Sequence, residues 1–159
     1  MMPWLPDAFL MVIAEAGRLI QKEFGITPKA SVFLCSSGEL DDAVLREIER
    51  INLTAVQIRK IKNVYLRRII GKFFKESDEI WLLEGKGDNI ETLVHELLHS
   101  IQKCAPNIEN IVDYLTYKLT GSSTMILEFI IDDWSEIERI YGYGEIKLRL
   151  VTDGDCEEF

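Results

Sequence analysis

The chain contains two histidines, His95 and His99, and both fall in the stretch "TLVHELLHSIQ" at residues 92–102. On an α-helix, residues four apart stand one turn apart, so both imidazoles leave the same face and can meet one tetrahedral zinc ion. Glu96 follows the first histidine and lies about 100° around the helix from it. From there its carboxylate reaches a water on the metal without taking a ligand position, which makes the HExxH spacing a mechanical requirement. Shuffling a chain of this composition yields the pattern in about one case per thousand. Ile90, Leu93, Val94, Leu97, Leu98, Ile101 and Cys104 share one arc of the predicted helix. His95 and His99 lie roughly opposite, beside Thr92, Gln102 and Lys103, so they are expected to line a surface or a cleft.

A catalytic zinc takes a third protein ligand and keeps one position open. No other histidine exists, and the longer pattern HExxHxxGxxH is absent, with Gln102 at the glycine position and Ala105 at the last histidine. The third ligand must then be a carboxylate or a cysteine. Glu128 in "MILEFIIDD" is the favoured candidate, and Asp113 in "NIVDYLTYKL" is its rival. Glu128 and Asp132 are i and i+4 in a polar stripe with Thr124, Ser135 and Arg139, opposite an arc of Ile126, Leu127, Ile130, Trp134 and Ile137. One carboxylate of that pair would bind zinc while the other accepts the N–H of a liganding histidine. The plainer reading of the stripe is a solvated pair of carboxylates beside Arg139. Asp133 falls inside the apolar arc, where nothing in the sequence explains it. Glu96 is the expected general base and acid, and Tyr114 and Tyr117, between the two ligand helices, are candidate donors to a developing oxyanion. Cys156 is a further candidate that would fold back on the metal and silence it.

The stretch resembles the active-site helix of the zincin metallopeptidases, including the apolar Val94 before the first histidine and the small Ser100 after the second. Carried over by position, Glu128 followed by Asp132 is similar to the gluzincin, thermolysin-like pattern. In that branch a glutamate downstream of HExxH is the third ligand, and an aspartate four residues later supports the first histidine. The short chain resembles the minigluzincins. Leu127 departs from the asparagine of the thermolysin motif, and no histidine is left to stabilise a transition state. The resemblance implies a zinc-dependent peptidase, an endopeptidase rather than an exopeptidase, with one zinc per chain and a peptide or protein substrate. It also implies a zincin-like α+β fold: a small, twisted, mostly parallel sheet with an antiparallel edge strand, packed against the HExxH helix and C-terminal helices. The strand "EIWLL", residues 79–83, stands where that family places the edge strand that holds substrate.

Those residues need elements to position them. Residues 7–24 predict an amphipathic helix capped by Asp7, "SVFLC" at 31–35 a strand, and "ELDDAVLREIERI" at 39–51 a helix burying Leu40, Val44, Ile48 and Ile51. Residues 54–70 fit helix and strand templates equally. Phe73-Phe74 and "EIWLL" around "ESDE" predict a hairpin. Asp88 with Glu91 has the spacing of a capping box for the histidine helix, and Pro106 limits its far end. Helices are expected over 109–119 and 123–140. "EIKLRLV" at 145–151 alternates like a strand, and "TDGDCEEF" reads as a mobile acidic tail.

At 159 residues, 47% hydrophobic and 28% charged, the chain fits a single domain, with no linker or repeat to divide it. It is expected to carry N-terminal helices and a strand (1–52), sheet and active-site helix (53–103), a C-terminal helical part (104–151) and the tail (152–159). A net charge of −9 argues against general nucleic-acid or anionic-membrane binding. The basic run Arg59, Lys60, Lys62, Arg67, Arg68, Lys72 and Lys75 reads first as a solvated face and second as a patch for a partner. Cys35, Cys104 and Cys156 are odd in number and widely spaced with no CxxC, which predicts neither a disulfide framework nor a four-cysteine zinc site and favours a reducing interior and a cytoplasmic chain. No signal peptide and no membrane span are expected. Two other readings compete with the peptidase: a metal-binding sensor or interaction module, and a helical α+β protein in which the pattern is accidental.

Overall fold

The computed structural model describes residues 4–51, 53–60, 69–105, 109–121 and 128–156, leaving aside the side chains of residues 110 and 128–132. Along the chain run α1 (Asp7–Phe24), β1 (Ser31–Cys35), α2 (Ser37–Glu49), α3 (Ala55–Lys60), β2 (Gly71–Phe74) and β3 (Glu79–Leu83). They are followed by α4 (Ile90–Ile101), α5 (Glu109–Thr120), α6 (Glu128–Tyr141) and α7 (Tyr143–Leu150). The domain is α+β, with seven helices and a three-stranded mixed sheet among the described residues.

The sheet has the order β1-β3-β2, with β1 parallel and β2 antiparallel to β3. Side chains of a strand alternate between faces. Ile80 and Leu82 of β3 enter the main core, while Trp81 and Leu83 pack against a smaller cluster beneath α2. That smaller cluster holds Leu40, Ala43, Val44 and Ile48 of α2 with Cys35 and Phe74. Ile51 does not join it and is exposed. The main core is built on the other face, where Phe9, Ala16 and Ile20 of α1 meet Leu93, Val94, Leu97, Leu98 and Ile101 of α4. Ile111 and Leu115 of α5, Trp134 of α6, and Ile146 and Leu150 of α7 close it on the far side.

One pairing is parallel and one antiparallel, so the sheet is mixed rather than mostly parallel. The strand at 79–83 lies in the middle of the sheet, bonded on both sides; the edge beside α4 belongs to β2. The hairpin is formed as expected, with Asp78 in the left-handed region (φ 53°) at its turn. Pro6, not Asp7, stands at the cap of α1, which has no side-chain cap. Ser36 and Glu39 form a reciprocal capping box on α2. Of the ambiguous segment 54–70, residues 55–60 are helical, and 61–68 lie outside the described residues, as do Lys62, Arg67 and Arg68 of the basic run.

The stretch 145–151 is a helix, not a strand. Ile146 and Leu150 are buried one turn apart while Leu148, which completes the alternation, is 56% exposed. Beyond it the chain returns to the end of α4. Lys103 N–H donates to Leu150 O (2.9 Å), Ala105 N–H to Gly154 O (2.9 Å) and Cys156 N–H to Ala105 O (3.1 Å). Cys104 and Cys156 form a disulfide, which corrects the expectation of no disulfide framework and of a mobile tail through residue 156. The cysteine argument for a reducing compartment falls with it. Cys35 remains free and buried, and burial raises its thiol pKa. The bridge spans a sequence separation of 52 residues. Chain entropy for a loop of that size corresponds to about 4 kcal/mol. Cys104→Ser with Cys156→Ser is therefore expected to lower unfolding stability by up to about 4 kcal/mol, read by urea titration of the oxidised wild type and the variant.

The turn that delivers α4 is tight. Leu83 N–H donates to Ile70 O (2.8 Å), and Gly87 N–H folds back to Leu83 O (2.7 Å). A Cβ on Gly87 would sit 2.0 Å from Ile70 O, a backbone atom that cannot swing away. Gly87→Ala is expected to break the Ile70–Leu83 bond and destabilise the chain by about 2–3 kcal/mol, visible as a lowered thermal midpoint.

Candidate metal centre

Helix α4 begins at Asn89, whose side chain accepts the Thr92 N–H (2.8 Å) and donates to Lys86 O (2.9 Å). The cap is thus Asn89 rather than the Asp88–Glu91 pair. The apolar arc faces the main core, as its spacing predicts, and leaves the two histidines on the opposite side, lining a cavity of about 900 Å³. The rings meet edge to face, with centroids 4.9 Å apart.

The carboxylate that meets them is Glu109, in the first turn of α5. Its Oε2 lies 2.7 Å from His95 Nε2, and its Oε1 3.1 Å from His99 Nε2. Asp113, one turn along α5, stands behind the first ring, with Oδ1 3.1 Å from His95 Nδ1. Neither this contact nor that of His99 Nε2 has the alignment of a hydrogen bond; Asp113 Oδ1 and His99 Nε2 are buried and without a hydrogen-bond partner. They are close approaches set by packing.

Among the described residues, His95, His99 and Glu109 form a group able to hold a metal ion, each offering one donor atom within 4.8 Å of the others. Two features fit a cation there. First, the His99 Nδ1 partner is Gln102 Oε1 at 3.0 Å, so the ring donates from Nδ1 and turns the Nε2 lone pair towards Glu109. Two acceptors face to face are repulsive unless a proton or a metal ion lies between them. Second, two imidazoles and one carboxylate are a donor set of catalytic zinc sites. Without a metal, the carboxylates favour positive charge on the His95 ring itself. Burial disfavours a charge on His95, but Asp113, Glu109 and Glu96 together outweigh it and push its pKa up to about 10. Burial likewise opposes ionisation of Glu109, yet the two histidines hold its carboxyl far below the usual range.

Glu96 is 8% exposed, and its burial raises its pKa against the opposing pull of the two histidines. It lies beneath β2, where Gly71 makes the close approach: a Cβ there would fall 3.0 Å from Thr92 Cγ2 and 3.5 Å from Glu96 Cγ. Gly71, Lys72 and Phe73 of β2 line the same cavity as Glu96 and the histidines.

The other sequence candidates are placed as follows. The side chains of Glu128 and Asp132 lie outside the described residues; Ser135 and Arg139 of their stripe face solvent, and Arg139 pairs with Glu136. Asp133 is exposed, so the apolar arc does not bury it. Asp113 is at the site but faces His95 Nδ1, not the Nε2 side where Glu109 sits. Neither Tyr114 nor Tyr117 lines the cavity. Tyr114 is buried, stacks on Trp134 with centroids 4.9 Å apart, and donates its hydroxyl to Glu138. Cys156 is tied in the disulfide and offers no free thiolate. Glu109 was missed, although "ENIVD" carries the same Glu-to-Asp spacing of four as residues 128–132.

Fold and site together define a small α+β domain with a candidate centre of two histidines and a glutamate on adjacent helices. No protein-family model matches the chain, and neither does any curated protein or solved structure. Among the described residues, no helix is long and apolar enough to cross a membrane.

Proposed function

We propose that the chain is a zinc-dependent peptidase of the gluzincin type, with His95, His99 and Glu109 as metal ligands. The observation that carries this reading is the convergence of both Nε2 atoms on the Glu109 carboxylate, with Glu96 buried alongside and a cavity in front. Glu109 followed by Asp113 has the glutamate-to-aspartate spacing of that branch, and Asp113 stands at His95, the first histidine. Bound zinc would supply Lewis acidity towards a peptide carbonyl and lower the pKa of a water to about 7.

The chain's own groups do the rest. Glu96, raised in pKa by burial, takes a proton from the attacking water and delivers it to the leaving amine. Asp113, 3.1 Å from His95 Nδ1, places a negative charge behind that ring. The edge of β2, which pairs with no further strand among the described residues, rather than the strand at 79–83, is the surface on which an extended peptide adds by main-chain bonds. Its Gly71 makes room for Leu82 and Thr92, 2.8 and 3.0 Å from where a Cβ would stand.

The test is cleavage of a mixture of unstructured peptides by the purified chain, read by mass spectrometry. The reading expects cleavage that stops with a chelator and returns with one equivalent of zinc. Zinc-loaded protein that cuts nothing would leave a metal-binding module; cleavage indifferent to the chelator would remove the metal from the mechanism.

A further inference from the structure

At the end of α4 a set of contacts ties one histidine to the disulfide. Gln102, the C-cap residue, is extended (φ −65°, ψ 129°), and its side chain folds back so that Oε1 lies 3.0 Å from His99 Nδ1. Its Nε2 donates to Cys104 O at 3.0 Å and to Cys156 Sγ at 3.3 Å. Both neighbours of the amide nitrogen are acceptors, so a flipped amide would set oxygen against the Cys104 carbonyl and lose both bonds. The orientation of Gln102 is therefore decided by the disulfide side, and that orientation decides the ring: His99 donates from Nδ1 and offers Nε2 towards Glu109.

We propose that Gln102 is a positioning residue of the metal centre, fixing His99 in the tautomer that presents Nε2 to a divalent cation, and that the Cys104–Cys156 disulfide holds Gln102 in that pose. The inference rests on the zinc reading above. Asp113 stands in close contact with His95 Nδ1 without the alignment of a hydrogen bond, whereas Gln102 is hydrogen-bonded to His99 Nδ1. Two constraints hold the amide's acceptors in place. The disulfide joins the residues that supply them, and backbone bonds from Cys104 to Leu150 and from Cys156 to Ala105 brace the same two segments.

The experiment measures zinc affinity of the full oxidised chain by chelator competition, with folding checked by circular dichroism. Gln102→Leu, which removes the acceptor, is expected to weaken zinc binding by about 10–100-fold. Gln102→Glu, which keeps an acceptor for Nδ1 but sets its second oxygen against the Cys104 carbonyl, should fall between the wild type and Gln102→Leu. Ring nitrogen resonances of the histidines, recorded above the titration range, should show His99 protonated at Nδ1 in the wild type and mixed between tautomers in Gln102→Leu. A merely structural glutamine would not move that signature. Cys104→Ser with Cys156→Ser should weaken zinc in the same direction, and adding Gln102→Leu to it should cost much less than in the wild type. Unchanged affinity in Gln102→Leu, or a His99 protonated at Nε2 in the wild type, overturns this inference alone. Full additivity of the two changes overturns the role of the disulfide. A wild type that takes up no zinc overturns the metal reading and this inference together.

Discussion

Glu96→Gln is expected to lower kcat/KM for peptide cleavage by about 10²–10⁴-fold while the chain keeps its zinc. The substitution is nearly isosteric, and Glu96 sits where shape matters, beneath Gly71 and beside both rings. What disappears is the ability to accept a proton from water and to hand it on. Packing gives little cause for a second effect: a carboxyl raised in pKa by burial is replaced by a neutral amide of the same size. Loss of activity with zinc retained assigns Glu96 to chemistry. Retained activity would remove the general base from the mechanism, and loss of zinc with activity would mean that Glu96 acts through the metal centre's structure.

Glu109→Ala is expected to weaken zinc binding by more than the roughly 10–100-fold that follows loss of an outer partner such as Asp113. Glu109 contacts both Nε2 atoms, whereas Asp113 touches only His95 Nδ1, so the two substitutions separate a ligand from its support. The side chain of Glu109 is 60% exposed, so its removal leaves no core cavity, and what the metal-free chain loses is the contact of its carboxylate with the two rings. Competition with a chelator of known affinity measures all the variants on one scale. Equal losses for Glu109→Ala and Asp113→Asn would put the two carboxylates on the same footing, and a loss confined to Glu128→Ala would return the third ligand to α6.

The histidine helix was legible because one short segment carries both its signals. The apolar arc from Ile90 to Ile101 fixes which side is core, and the spacing of His95 and His99 then fixes what the other side presents. The carboxylate that meets the histidines was not legible, because the same Glu-to-Asp spacing occurs at 109–113 and at 128–132. Spacing places two carboxylates on one helix face but does not say which face meets α4. That is settled by the packing of α5 on α4, a tertiary contact. The last helix failed for a related reason. Ile146, Leu148 and Leu150 satisfy a strand's alternation, while the two that are buried, Ile146 and Leu150, equally satisfy a helical turn. The disulfide has no sequence motif at all; its partners meet because residues 150–156 return to the end of α4.

The measurement that tests the account most directly is the zinc content of the purified, untagged chain beside His99→Ala, by elemental analysis against protein concentration. The account predicts about one zinc per wild-type chain, and its loss in the variant. No zinc in a wild type kept from chelators, and none taken up when it is offered, would contradict it and leave HELLH a helix that only spells the motif.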